Sequence, residues 1–207
     1  MTYLKTFVSA LWSGVAIALG GVAYLSLDNR LAGAVFFSVG LFVICTFGLD
    51  LFTGKVCYLF RQNRAYALGL PVIWLGNLAG TALVGGLLAQ TRLVNLPLRA
   101  AELCRAKLDD SYLSLFLLGI LCNVLIFVAV DGFRNNPHEL GKYLSLLFGV
   151  SVFVLCGFEH CVADMFYFSL AGLWSPNALV RILVITLGNG VGGVLLPLCQ
   201  GFLSRRS

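Results

Sequence analysis

Long apolar runs alternate with short polar breaks along the whole chain. The runs fall at about residues 7–26, 32–60, 66–90, 111–131, 143–174 and 178–203. The breaks are LDNR at 27–30, RQNR at 61–64, a longer polar stretch at 91–110, GFRNNPHELGK at 132–142 and SPN at 175–177. Each run is continuous and long enough to cross a bilayer as a helix rising about 1.5 Å per residue. Strands of a membrane barrel would instead alternate apolar and polar positions over about ten residues. The pattern therefore predicts an all-α membrane protein with six transmembrane helices. The run that follows Lys5 resembles a signal peptide in position only. It is long enough to span and lacks a small-residue cleavage site, so it predicts the first helix.

The second and fifth runs are too long for one span, and each is interrupted near its middle. The interruptions read FGLDLFTGK at 47–55 and CGFEHCVAD at 156–164. Each interrupted run is followed by a span containing Leu-Gly-Asn, WLGNLAG at 74–80 and TLGNGVGG at 186–193. Gly48 and Gly157 are 109 positions apart, and Gly76 and Gly188 are 112 apart. This near-constant offset predicts an internal repeat of three spans, about 7–90 and about 111–203, within one transmembrane domain covering residues 1–207. An odd number of spans per half requires the halves to be inverted. Matching interruptions in two inverted halves predict a binding or conduction site near mid-membrane.

Composition agrees with a lipid environment. Hydrophobic residues make up 59% and charged residues 11%, and mean hydropathy is +0.94. A soluble domain carries about a quarter charged residues. The net charge of +5 comes without a basic cluster interleaved with aromatics, so no nucleic-acid surface is expected. With six spans both termini share a side, which carries Lys5, Arg61, Arg64, Arg134, Lys142, Arg205 and Arg206, with Lys55 joining them. The opposite side holds Arg30, Arg92, Arg99, Arg105, Lys107 and Arg181, offset by Glu102, Asp109 and Asp110. That bias predicts cytoplasmic termini, with the bacterial inner membrane as the expected location. The seven cysteines contain no C-x-x-C pair and read as small hydrophobes. No metal, no cofactor and no enzymatic activity are expected.

Broken helices free backbone N–H and C=O groups, which lipid cannot satisfy. Both interruptions should therefore face a shared interior. Gly48, Gly54 and Gly157 supply backbone freedom, Thr53 a hydroxyl, and the half-helix N-termini positive dipole ends toward an anion. His160 is the leading candidate for chemistry, because small environmental changes switch an imidazole's charge. It could also be a neutral group tying the two breaks together. Glu159 and Asp50 occupy equivalent places and could satisfy freed amides. Asp164, one turn beyond His160, could touch its ring or face a subunit interface. Asn123, deep in the fourth span, should bond across helices or line the pathway. Lys107 lies in the long loop before that span.

Five short motifs, LFTG (51–54), WLGN (74–77), GILCN (119–123), GFEH (157–160) and TLGN (186–189), together resemble the formate/nitrite transporter family. They occur in family order and cover nearly the whole chain. The resemblance implies a homopentamer of aquaporin-like six-helix subunits, each with its own pore for a small monovalent anion and protons. It implies that Thr53, on the first broken loop, bonds to His160 on the second, with Asn123 nearby. Lys107 would be a vestibule lysine that draws anions inward. Phe37, Leu41 and Phe153 would form the inner constriction, with Leu51 and Phe52 at the other. Four departures stand out. The chain starts almost at its first span, so the family's cytoplasmic N-terminal helix, and any gating by it, is not expected. The loop between spans five and six is very short. Cys161 replaces a small hydroxyl residue, and Asp164 replaces an amide, adding a carboxylate that would oppose anions unless protonated. The expected mechanism is passage of formate or nitrite with protonation at a dry central pore, the proton coming from water or through His160. Hydrosulfide, acetate or lactate are alternative cargoes, and a membrane thiol or quinone oxidoreductase is the rival of a different class.

Overall fold

The computed structural model describes residues 3–203, and Arg205 and Arg206 lie outside them. Helix α1 (Tyr3–Ser26) crosses first. Helices α2 (Arg30–Phe37) and α3 (Val39–Phe47) continue through Ser38 as one 18-residue span. The chain then breaks at residues 48–51 and re-enters a helix as α4 (Phe52–Val56). A single 3-10 turn at Leu59–Arg61 leads into α5 (Arg64–Leu88). In the second half α6 (Asn95–Asp109) precedes α7 (Tyr112–Asn135), α8 (Glu139–Cys156), a break at residues 157–160, α9 (Cys161–Ala171) and α10 (Pro176–Leu203). Six of these stretches are long and apolar enough to cross a membrane. The chain is an integral membrane protein built as two inverted halves of three spans, with the second and fifth spans broken where the sequence predicts.

One expectation needs correction. Residues 91–110 are not a plain loop, because 95–109 form the helix α6. Its Leu96, Ala100 and Cys104, spaced by one helical turn, are buried, and α6 packs against α9. That docking places Lys107 beside the second break.

The halves pack alike. Helix α1 lies against α5, and α7 against α10. These contacts are close enough that a side chain at the crossing has no room. A Cβ on Gly80 would stand 2.0 Å from the Leu11 carbonyl oxygen, and one on Gly192 would stand 2.1 Å from that of Ile120. Without a hydrophobic force between helices in lipid, such close backbone contact supplies the packing energy. Gly48 (φ 66°) and Gly157 (φ 69°) end α3 and α8 in the left-handed conformation. Glycine adopts it without the steric penalty an L side chain meets. Outward-facing leucines such as Leu19, Leu75, Leu83, Leu121 and Leu187 are about half exposed or more, as a surface toward lipid requires.

Candidate functional site

The two breaks are held by one asparagine each, at equivalent positions of the two halves. Asn77 on α5 accepts from the Phe52 N–H through Oδ1 (2.9 Å) and donates through Nδ2 to the carbonyls of Ala10 (2.8 Å) and Asp50 (3.0 Å). Asn189 on α10 accepts from the Cys161 N–H (2.9 Å) and donates to the carbonyls of Gly119 and Glu159 (2.8 Å each). An amide carries both donors and an acceptor, so one side chain satisfies the first amide of the short helix and a carbonyl of the break before it. This corrects the expectation that Glu159 and Asp50 cap the freed amides. It also answers what the Leu-Gly-Asn motifs do, a role that the spacing of the repeats signals but does not state. The N-terminal amides of α4 and α9 at Phe52, Cys161 and Ala163 are thus occupied by side chains rather than offered to an anion.

Between the breaks, Thr53 Oγ1 and His160 Nε2 stand 2.9 Å apart, both fully buried. Thr53 sits just inside α4 rather than on the loop before it. His160 is the N-cap of α9, and its Nδ1 accepts from the Ala163 N–H at 3.1 Å. An acceptor at Nδ1 leaves the proton of a neutral imidazole on Nε2. Nε2–H therefore donates to Thr53 Oγ1, and no protein acceptor for the Thr53 hydroxyl proton is found among the described residues. A second proton on Nδ1 would break the helix cap. The ring also stacks on Phe153, with centroids 5.5 Å apart and planes at 15°. Asn123 donates to the Thr53 carbonyl (3.0 Å) and toward Cys57 Sγ (3.7 Å), while its Oδ1 is buried without a partner among the described residues.

Two small cavities lie on opposite sides of the Thr53–His160 contact. One, about 60 Å³, is lined by His160, Phe37, Phe153, Tyr24, Lys107 and Asp164 among others. The other, about 30 Å³, is lined by Leu41, Leu51, Gly54, Lys55, Val130 and Arg134 among others. The expected constriction groups are therefore divided differently. Phe37 and Phe153 meet edge to face at 6.0 Å on the Lys107 side, whereas Leu41 joins Leu51 on the Lys55 side. The reason is the 3.6-residue period: Phe37 and Leu41 share a face of the second span but stand a turn apart along it, across the level of the break. Phe52 is buried and lines neither cavity.

The carboxylates at the breaks are paired. Asp50 meets Lys55 at 2.7 Å. Glu159 meets Lys107 at 2.5 Å, and Asp164 meets the same ammonium at 3.1 Å. Asp164 therefore neither faces a subunit interface nor reaches the His160 ring; it lines the 60 Å³ cavity. Lys107 is not a free vestibule cation, since its side chain is 11% exposed and clamped by two carboxylates. Burial works against its charge, but Asp164 and Glu159 outweigh burial and hold the ammonium above the ordinary lysine range. Lys55 as the partner of Asp50 was not read from the sequence, although the two are five positions apart across a helix start.

Comparison with known proteins places these features in a family. The formate/nitrite transporter family profile matches residues 1–201. The chain is 27% identical to the formate channel FocA of Haemophilus influenzae, covering 97% of this chain and 85% of that one. It is 26% identical to the nitrite transporter NirC of Escherichia coli (strain K12), over 93% and 80% of the two chains. Among solved structures, a pentameric formate channel with formate bound superposes with a TM-score of 0.85 at 26% identity, covering 99% of this chain and 98% of that one.

Proposed function

Since the chain belongs to the formate/nitrite transporter family, we propose that it carries small monovalent weak-acid anions of the formate and nitrite type across a membrane, as the neutral acid at the narrowest point. The observation that carries this reading is the buried Thr53–His160 contact between two cavities, framed by phenylalanines on one side and leucines on the other. A bare anion there would lose hydration worth several kcal/mol. Desolvation raises the proton affinity of a carboxylate, so the anion takes up a proton as it approaches, and the neutral acid crosses. Thr53, with its hydroxyl proton free, donates to the passing oxygen. His160 orients Thr53 and stays neutral, because a second proton would cost it the cap of α9. The proton therefore comes from the cavities rather than from His160.

The substrate pathway comprises Lys107, the Phe37–Phe153 pair, His160 with Thr53, Asn123 behind them, and Leu41 with Leu51 beyond. Asn123 fixes the Thr53 backbone. The related solved channel is pentameric, and the exposed apolar faces of this chain suit the same assembly, a homopentamer with one pore per subunit. The termini are cytoplasmic in the bacterial inner membrane, and the chain performs transport, not catalysis. Purified protein in liposomes tests the reading. Formate and nitrite flux should exceed that of empty liposomes and rise steeply as external pH is lowered. Flux equal to that of empty liposomes for both anions overturns it.

A further inference from the structure

Lys107, Glu159 and Asp164 form a buried cluster with an uneven charge count. One ammonium meets two carboxylates, at 2.5 Å and 3.1 Å. Asp164 is 2% exposed, shares the Lys107 ammonium with Glu159, and its Oδ2 is buried with no hydrogen-bond partner among the described residues. Two buried carboxylates on one ammonium, with one oxygen lacking a donor, leave room for one proton.

Among the described residues, no second cation pairs with these carboxylates to settle the balance. The titratable groups close enough to feel the charge of Asp164 are Cys104 on α6, Cys122 on α7, and Cys161 and Tyr167 on α9. Tyr24 from α1 and the neutral His160 are the other titratable groups that line the cavity with Lys107, Asp164 and Tyr167. From α10, Arg181 turns its guanidinium to the carbonyls of Lys107 and Asp110 (2.8 Å and 2.5 Å), where it caps the end of α6 instead of meeting a carboxylate.

We propose that Glu159 and Asp164 together form a proton-binding site, and that Asp164 couples its occupancy to the admission of an anion into the adjoining cavity. With the proton on the pair, the cluster is neutral and the Lys107 ammonium can face an anion. Without it, the cluster carries one negative charge at the wall of a 60 Å³ cavity and repels the anion. Proton and anion thus bind together, and each strengthens the binding of the other by the same factor. The proposal rests on the anion-transport reading given above for its functional consequence, but the protonation itself does not.

Infrared spectroscopy of the wild-type protein in liposomes tests the site without any flux. At neutral pH one protonated carboxyl per chain should be seen, and Asp164→Asn should abolish it. No protonated carboxyl in the wild type, or one that persists unchanged in the variant, overturns the proposal. Formate flux then tests the coupling. At acidic pH wild type and Asp164→Asn should agree within about two-fold. As pH rises and the site loses its proton, wild-type flux should fall more steeply, until the variant exceeds it by about ten-fold, the equivalent of about 1.4 kcal/mol of repulsion removed. Parallel profiles, or a variant slower than wild type at alkaline pH, overturn the coupling. Absence of flux in the wild type would refute the transport reading while leaving the infrared result to decide the proton site.

Discussion

His160 and Thr53 illustrate how much a single hydrogen-bond partner can decide. The Ala163 amide fixes the acceptor on Nδ1, so the donor must be Nε2 and its acceptor must be Thr53. Replacing Thr53 by valine keeps the shape but leaves a buried N–H without a partner, which costs about 1–3 kcal/mol. Thr53→Val should therefore lower the thermal midpoint measured in detergent and slow formate flux in liposomes. Thr53→Ser, which restores an oxygen, should recover most of both. Equal flux in Thr53→Val and wild type would show that the hydroxyl does not meet the permeant acid. The types and positions of these two residues were legible in the sequence, because polar groups inside apolar runs demand an interior site. The partners of the acidic residues were not. Glu159 and Asp164 gain their meaning from Lys107, some fifty positions earlier, and no spacing along the chain encodes that meeting.

At the scale of elements, the breaks were legible because glycine and polar residues interrupt two runs at a constant offset. Helix α6 was missed because its polar residues hide a one-turn repeat of small apolar ones, Leu96, Ala100 and Cys104, and a polar stretch between spans reads as a loop. Glycines serve the elements in two physically separate ways, and the difference is measurable. A Cβ at Gly48 meets nothing within 4 Å, so Gly48→Ala suffers only the left-handed backbone strain of about 1–2 kcal/mol. A Cβ at Gly80 would collide with the Leu11 carbonyl at 2.0 Å, where rigid backbone stands on both sides. Gly48→Ala should fold and lose a few degrees in thermal midpoint. Gly80→Ala should separate α1 from α5 and give little folded protein by size-exclusion chromatography. A similar yield and midpoint for the two variants would mean that the α1–α5 crossing relaxes far more easily than this packing allows.

For the molecule as a whole, the two inverted halves bring one broken span from each to a common centre, and each break is stitched by its own asparagine to its own half. What joins the halves at that centre includes the Thr53–His160 bond and the Asn123 bond to the Thr53 carbonyl, so the same contacts that close the fold narrow the path proposed above. The cavities on either side, about 60 and 30 Å³, have room for only a few waters. A charge crossing between them would move through a medium where its hydration is largely stripped, whereas a neutral acid would not. Transport should accordingly be electroneutral. In liposomes with a potassium diffusion potential set by valinomycin, formate uptake should be the same at zero and at about 100 mV, a potential worth about 2.3 kcal/mol for each charge moved. Uptake should instead follow the pH difference, and each formate taken up should carry one proton, read with a trapped pH dye. An uptake rate that rises severalfold with the imposed potential at constant pH would mean that the anion itself passes Thr53 and His160. The centre would then have to hold a continuous file of water that its present dimensions do not accommodate.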